Sequence, residues 1–78
     1  MKERIKETIR DLWNKIYFEQ GRFDSQYSAL GAYLKDKKLG SAAVTIRKCK
    51  KLLDAIDEAL GAIGVLEGLL EEEHEGED

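Results

Sequence analysis

The sequence predicts an all-α protein, an antiparallel hairpin of two long helices that dimerises into a four-helix bundle. The chain of 78 residues has no proline and 37% charged residues, and Ala, Leu, Glu and Lys, which favour helices, are frequent. Its apolar residues recur every three or four positions in two long series, as they do on one face of a helix. Because a chain this short buries only about 60% of its unfolded surface, we expect it to associate with a partner.

The first apolar series predicts a helix over residues 3–37. Its members are Ile5, Ile9, Leu12, Ile16, Phe23, Tyr27, Leu30 and Leu34. Gly21 offers an alternative, in which the first helix ends there and Asp24 or Ser25 caps another, giving three helices. The apolar spacing continues across Gly21, and neither cap candidate is followed three residues later by Glu or Gln. The sequence therefore favours one continuous or kinked helix.

The second apolar series predicts a helix over residues 41–73. Its members are Ala42, Ile46, Cys49, Leu53, Ile56, Leu60, Ile63, Leu66 or Glu67, and Leu70. Between the two series we expect Gly40 to end the first helix and Ser41 to cap the second. The predicted domain organisation is a helical hairpin over residues 1–70, followed by an acidic flexible tail over residues 71–78.

Further apolar residues lie beside the two series and predict a partner-binding surface. Trp13 and Tyr17 flank the first series, and Leu52, Ala59 and Leu66 flank the second. Each helix thus has more apolar surface than one neighbouring helix covers. A second copy of the chain or a larger protein partner would cover the remainder.

Three glycines, Gly61, Gly64 and Gly68, lie along one edge of the second predicted helix. Each costs up to about 1 kcal/mol relative to alanine inside a helix. Glycines at this spacing let another backbone approach closely, so the favoured interpretation is local packing within the bundle. A docking groove for a partner helix and local flexibility are the alternatives.

The net charge of −3 hides a strong division along the chain. Residues 35–51 contain seven basic residues and one acidic residue, whereas residues 67–78 contain seven acidic residues and no Lys or Arg. The candidate anion-binding residues are Lys35, Lys37, Lys38, Ser41, Arg47, Lys48, Lys50 and Lys51. A solvated basic corner is the favoured interpretation. Contact with an acidic protein surface is one alternative, and binding of nucleic acid or a phosphate ligand is the alternative function. In an antiparallel dimer, the acidic end of one copy would emerge near the basic corner of the other.

The sequence shows no pattern of catalytic or metal-ligating residues. Cys49 falls on the apolar series with no histidine nearby, so we expect a buried small hydrophobe. His74 is alone among carboxylates, which does not complete a metal coordination sphere. The chain also lacks a phosphate-cradling glycine loop, a zinc-helix motif and a nucleophile elbow. We therefore predict no catalytic residue, no metal site and no cofactor.

Segments for membrane insertion or secretion are also missing from the sequence pattern. No run of eighteen apolar residues and no charged-then-apolar leader is present. A single cysteine suits a reducing compartment. We expect a cytoplasmic, non-enzymatic protein-protein interaction module, either a homodimer or an accessory subunit.

Overall fold

The chain forms a hairpin of two long helices in a computed structural model that describes residues 2–77, with the side chains of residues 2–72. Helix α1 spans Lys2–Lys35 and helix α2 spans Leu39–Glu77. The two helices pack against each other, and the hairpin measures 61 × 14 × 13 Å. Within the described residues there is no strand. The predicted two-helix, all-α hairpin is confirmed, with helix bounds within a few residues of those expected. The predicted tail lies mostly outside the described side chains.

Helix α1 passes through Gly21 without a break. The predicted three-helix alternative is therefore wrong. A Cβ atom at Gly21 would meet nothing within 4 Å, so this glycine is not required by packing inside the hairpin. The helix continues because the half-buried positions on either side of Gly21, Glu19 and Phe23, belong to one uninterrupted helical stripe.

A Schellman motif at Lys37, not Gly40, ends α1. Lys37 has a φ of 58°, and its N–H donates to the carbonyl of Leu34 at 3.2 Å. The N–H of Lys38 donates to the carbonyl of Tyr33 at 2.8 Å, which completes the motif. The expected helix-ending role of Gly40 is therefore wrong, because α2 has already begun at Leu39.

The start of α2 also differs from the prediction. The carbonyl of Lys38 accepts the first hydrogen bond of α2, from the N–H of Ala42 at 3.0 Å. Lys38 thus occupies the cap position that the sequence assigned to Ser41. Ser41 lies one turn inside the helix and is exposed.

The seam between the helices follows a heptad pattern in both. In α1 the residues that face α2 are buried or half-buried: Ile5, Ile9, Leu12, Ile16, Glu19, Phe23, Gln26, Leu30 and Tyr33. In α2 the corresponding residues are Ala42, Thr45, Cys49, Leu52, Ile56, Ala59, Ile63, Leu66 and Leu70. Alternate steps of three and four residues keep each stripe against its neighbour.

At every second position, the seam contains the residue immediately before the predicted one, so each helix is rotated slightly about its axis. In α2 the inward residues Thr45, Leu52 and Ala59 replace the predicted Ile46, Leu53 and Leu60. In α1 the inward residues Glu19, Gln26 and Tyr33 replace Gln20, Tyr27 and Leu34. Small residues of α2 thus meet large residues of α1, which lets the two helices approach and interdigitate.

The best-packed part of the seam lies towards the open end of the hairpin. Ile16, Ala59 and Ile63 form a buried cluster. The half-buried apolar residues that pack around this cluster are Ile9, Leu12, Trp13 and Ile56. Cys49 is buried and free, as expected for a small apolar residue in the seam. This small core explains why further burial by association would stabilise the fold.

Candidate interaction surfaces

The five residues predicted to bind a partner occupy different environments. Ala59 is 4% exposed and lies in the cluster with Ile16, and Leu52 and Leu66 are half-buried at seam positions. These residues face α1. Tyr17 is exposed, and half-buried Trp13 stacks on it with ring centroids 5.9 Å apart.

The heptad pattern assigns the remaining residues to two sides of the hairpin. Seam residues alternate between two heptad positions, a and d, and Phe23 and Cys49 are both a residues. Arg22 and Lys48 immediately precede these two residues, and both line one cleft. These positions, called g in heptad notation, therefore share one side. The e positions, which immediately follow the d residues of the seam, share the opposite side.

The e side carries most of the large apolar residues that the hairpin leaves uncovered. We call this surface the apolar face, and its members are Trp13, Tyr17, Tyr27, Leu34, Leu39, Ile46, Leu53 and Leu60. All except half-buried Trp13 are exposed. The four α2 residues are spaced by seven and extend along about 32 Å of helix. The sequence did not reveal this face because Ile46, Leu53 and Leu60 were assigned to the core.

Polar and charged residues bound the apolar face at both ends. Along α2, the next e position after Leu60 is Glu67, and along α1 the e position before Trp13 is Lys6. Gln20 is the one polar e position between Trp13 and Tyr27. Ring stacking of Tyr27 on Phe23, with centroids 6.1 Å apart, holds an exposed aromatic ring on this face.

The g side contains a basic cleft. Its lining residues are Arg22, Gln26, Lys48, Lys51 and Leu52, and they border an open groove of about 280 Å³. Only Lys48 and Lys51 come from the predicted anion-binding set. The other members of that set are exposed and do not line the cleft: Lys35, Lys37, Lys38, Ser41, Arg47 and Lys50.

The three glycines near the end of α2 face outward. A Cβ atom added at Gly61, Gly64 or Gly68 would meet nothing within 4 Å. Packing within a single hairpin therefore does not require these glycines, and their packing within a bundle of hairpins stays a prediction. Their role as a docking groove stays a prediction.

The described side chains contain no group of three His, Cys, Asp or Glu residues that could hold a metal ion. His74 lies outside these side chains. Neither described helix has a stretch long and apolar enough to cross a membrane.

Comparisons with protein-family models, curated proteins and solved structures give no match to this chain.

Proposed function

We propose that this protein is a non-enzymatic protein-protein interaction module that self-associates through the apolar face. The observation that carries the proposal is the exposed row of Leu39, Ile46, Leu53 and Leu60, at 67%, 51%, 49% and 44%. Isolated exposed apolar side chains are common, but a continuous row on one side of a helix pair is typical of an interface. Burying one such side chain contributes about 1.5–3 kcal/mol.

A second copy of the chain fits this row by its spacing. In a two-fold dimer with antiparallel hairpins, Leu39 of one copy lies opposite Leu60 of the other, and Ile46 lies opposite Leu53. Each contact then occurs twice, as a two-fold interface requires.

The row on α1 supports the same arrangement. Trp13 pairs with Leu34 and Gln20 pairs with Tyr27 across the same axis. The centres of the two rows lie at nearly the same level of the hairpin, within about 3 Å at 1.5 Å per residue. One two-fold axis therefore serves both helices, and the product is a four-helix bundle.

Charge complementarity favours the antiparallel orientation over the parallel one. The segment 35–51 has a net charge of +6, and the remainder of α2, from residue 52 onward, contains acidic residues but no Lys or Arg. In this register, residues 35–47 of one copy lie opposite residues 52–64 of the other, which contain three acidic residues and no Lys or Arg. Lys48, Lys50 and Lys51 of both copies lie close to the two-fold axis. Parallel packing would bring the two basic corners together, which is unfavourable.

The proposed register covers much of one side of each hairpin. The corner of one copy lies opposite residue 63 of the other, so the two hairpins overlap along about 40 Å of their 61 Å length at 1.5 Å per residue. The small number of buried residues in one hairpin leaves much to be gained by this burial.

A matched pair of substitutions tests the proposal by sedimentation. Ile46→Glu places a charge on the apolar face, whereas Val44→Glu places one on a side chain of similar exposure, 46% against 51%, outside it. We expect wild type and Val44→Glu to sediment at twice the chain mass of 8.9 kDa, and Ile46→Glu at the chain mass. A monomeric wild type would overturn self-association, and dissociation by Val44→Glu alone would place the interface elsewhere.

A further inference from the structure

We propose that the basic cleft binds a small ligand that carries a phosphate or diphosphate group. The cleft combines cations from both helices, Arg22 from α1 and Lys48 and Lys51 from α2. Gln26 adds an amide that can donate a hydrogen bond to an oxyanion. Two lysines and one arginine on a concave surface provide charge-assisted donors for the several oxygens of a phosphate group.

No carboxylate lines the cleft, although Glu19 and Asp54 lie three residues from Arg22 and Lys51 on the same helices. Within the described part of the chain, none of Arg22, Lys48 and Lys51 forms an ion pair with a carboxylate. Glu19, one turn before Arg22 on the same helix, does not line the cleft. Three cations that share one cleft repel one another, and an anion between them relieves that repulsion.

Arg22 is also held in place by a contact outside the cleft. Its guanidinium carbon stands 5.9 Å from the centroid of the Phe18 ring, one turn earlier in α1. This cation-π contact restricts the side chain before any ligand binds. Less conformational entropy is then lost when the anion is bound.

The shape of the cleft favours a compact ligand over nucleic acid. About 280 Å³ of open space accommodates a phosphate or diphosphate group with some of its waters. A nucleic-acid surface would continue as a basic track along the hairpin, but Arg47 and Lys50 lie outside the cleft and the rest of α2 is acidic. The cleft lies on the side opposite the apolar face, so the ligand site remains open in the proposed dimer.

Titration with pyrophosphate at constant ionic strength, followed by NMR chemical shifts, tests the proposal. The cleft variants are Arg22→Gln and Lys48→Gln/Lys51→Gln. The control is Arg47→Gln/Lys50→Gln, which removes the same charge as the double cleft variant from the same segment of α2. Inorganic phosphate and a single-stranded oligonucleotide are titrated as parallel probes.

We expect pyrophosphate to shift the amide signals around the cleft, and each cleft variant to weaken binding about tenfold or more, while the control changes it little. The effect of Arg22→Gln is decisive, because Arg22 lies outside the basic segment 35–51. Equal weakening by the control would reveal general electrostatic attraction and contradict a built site. The absence of shifts, or oligonucleotide binding with which pyrophosphate does not compete, would also overturn the proposal.

Discussion

Thr45 donates its hydroxyl hydrogen to the carbonyl oxygen of Ser41, at 2.9 Å and one turn earlier in α2. This hydrogen bond lets Thr45 enter the seam, where it is 4% exposed, without leaving a buried polar atom unpaired. The next residue, Ile46, is consequently 51% exposed. Leu53 and Leu60 follow Ile46 at steps of seven residues, so they lie on the same side of α2 as Ile46.

The rotation of the seam predicts the effect of substitutions at Ala59 and Leu60. Ala59→Leu should lower the free energy of unfolding by about 1–3 kcal/mol, because the larger side chain overpacks the cluster with Ile16 and Ile63. Leu60→Ala should cost less than about 1 kcal/mol in the monomer, since Leu60 is 44% exposed. Urea unfolding in the Ile46→Glu background checks both, because self-association does not then contribute. If Ala59→Leu had little effect and Leu60→Ala cost about 2–5 kcal/mol, Leu60 and not Ala59 would lie in the seam, as the sequence predicted.

The corner geometry predicts two stabilising substitutions. Lys37→Gly should raise the free energy of unfolding by about 1 kcal/mol, because glycine adopts the left-handed conformation without the steric cost that lysine pays. Gly40→Ala should also raise it, by up to about 1 kcal/mol, because Gly40 lies in the first turn of α2 with open space around its Cα. Urea midpoints measured at unchanged slope check both substitutions. A destabilising Gly40→Ala would instead indicate that Gly40 ends the first helix.

Alanine substitutions at the outward glycines separate two locations for the interface. Gly61→Ala and Gly68→Ala should each raise the free energy of unfolding by up to about 1 kcal/mol, since nothing lies within 4 Å of the added Cβ atom. Both variants should keep the mass of the wild type, because these positions lie outside the apolar face. Gly21→Ala in α1 provides a control with the same change and the same open surroundings. Loss of self-association in the α2 variants alone would locate the partner backbone on the glycine edge.

Salt should weaken the proposed dimer. In the antiparallel orientation residues 35–47 lie against Asp54, Asp57 and Glu58 of the second copy, so the attraction decreases as salt screens it. We expect the dissociation constant from sedimentation to rise several-fold between about 50 mM and about 500 mM NaCl, because the Debye length shortens strongly over this range. A dimer that salt strengthens would indicate the parallel orientation, with the basic corners together.

The sequence predicted the number of helices and their approximate bounds because periodicity, composition and the missing prolines all agree. Periodicity could not decide the rotation of each helix. In α2, Ala59 and Leu60 both belong to apolar series with correct helical spacing, and only packing against Ile16 selects between them.

The sequence also did not predict the local backbone geometry at the corner. Glycine is the usual residue at a left-handed helix end, so Gly40 was the natural choice, yet Lys37 adopts this conformation. For the basic cleft, the charge run pointed to the correct segment of α2. Arg22 joins Lys48 only through the pairing of the two helices, which composition and charge do not reveal.

One spin-label distance shows whether a second copy covers the apolar face in the antiparallel orientation. Asp36→Cys in a Cys49→Ala background carries a single label at the exposed corner of each copy. In the proposed dimer Asp36 of one copy lies opposite residue 63 of the other, so the account predicts one intermolecular distance of roughly 40 Å at 1.5 Å per residue. A signal without intermolecular coupling, or a distance that brings the two corners together, would contradict it.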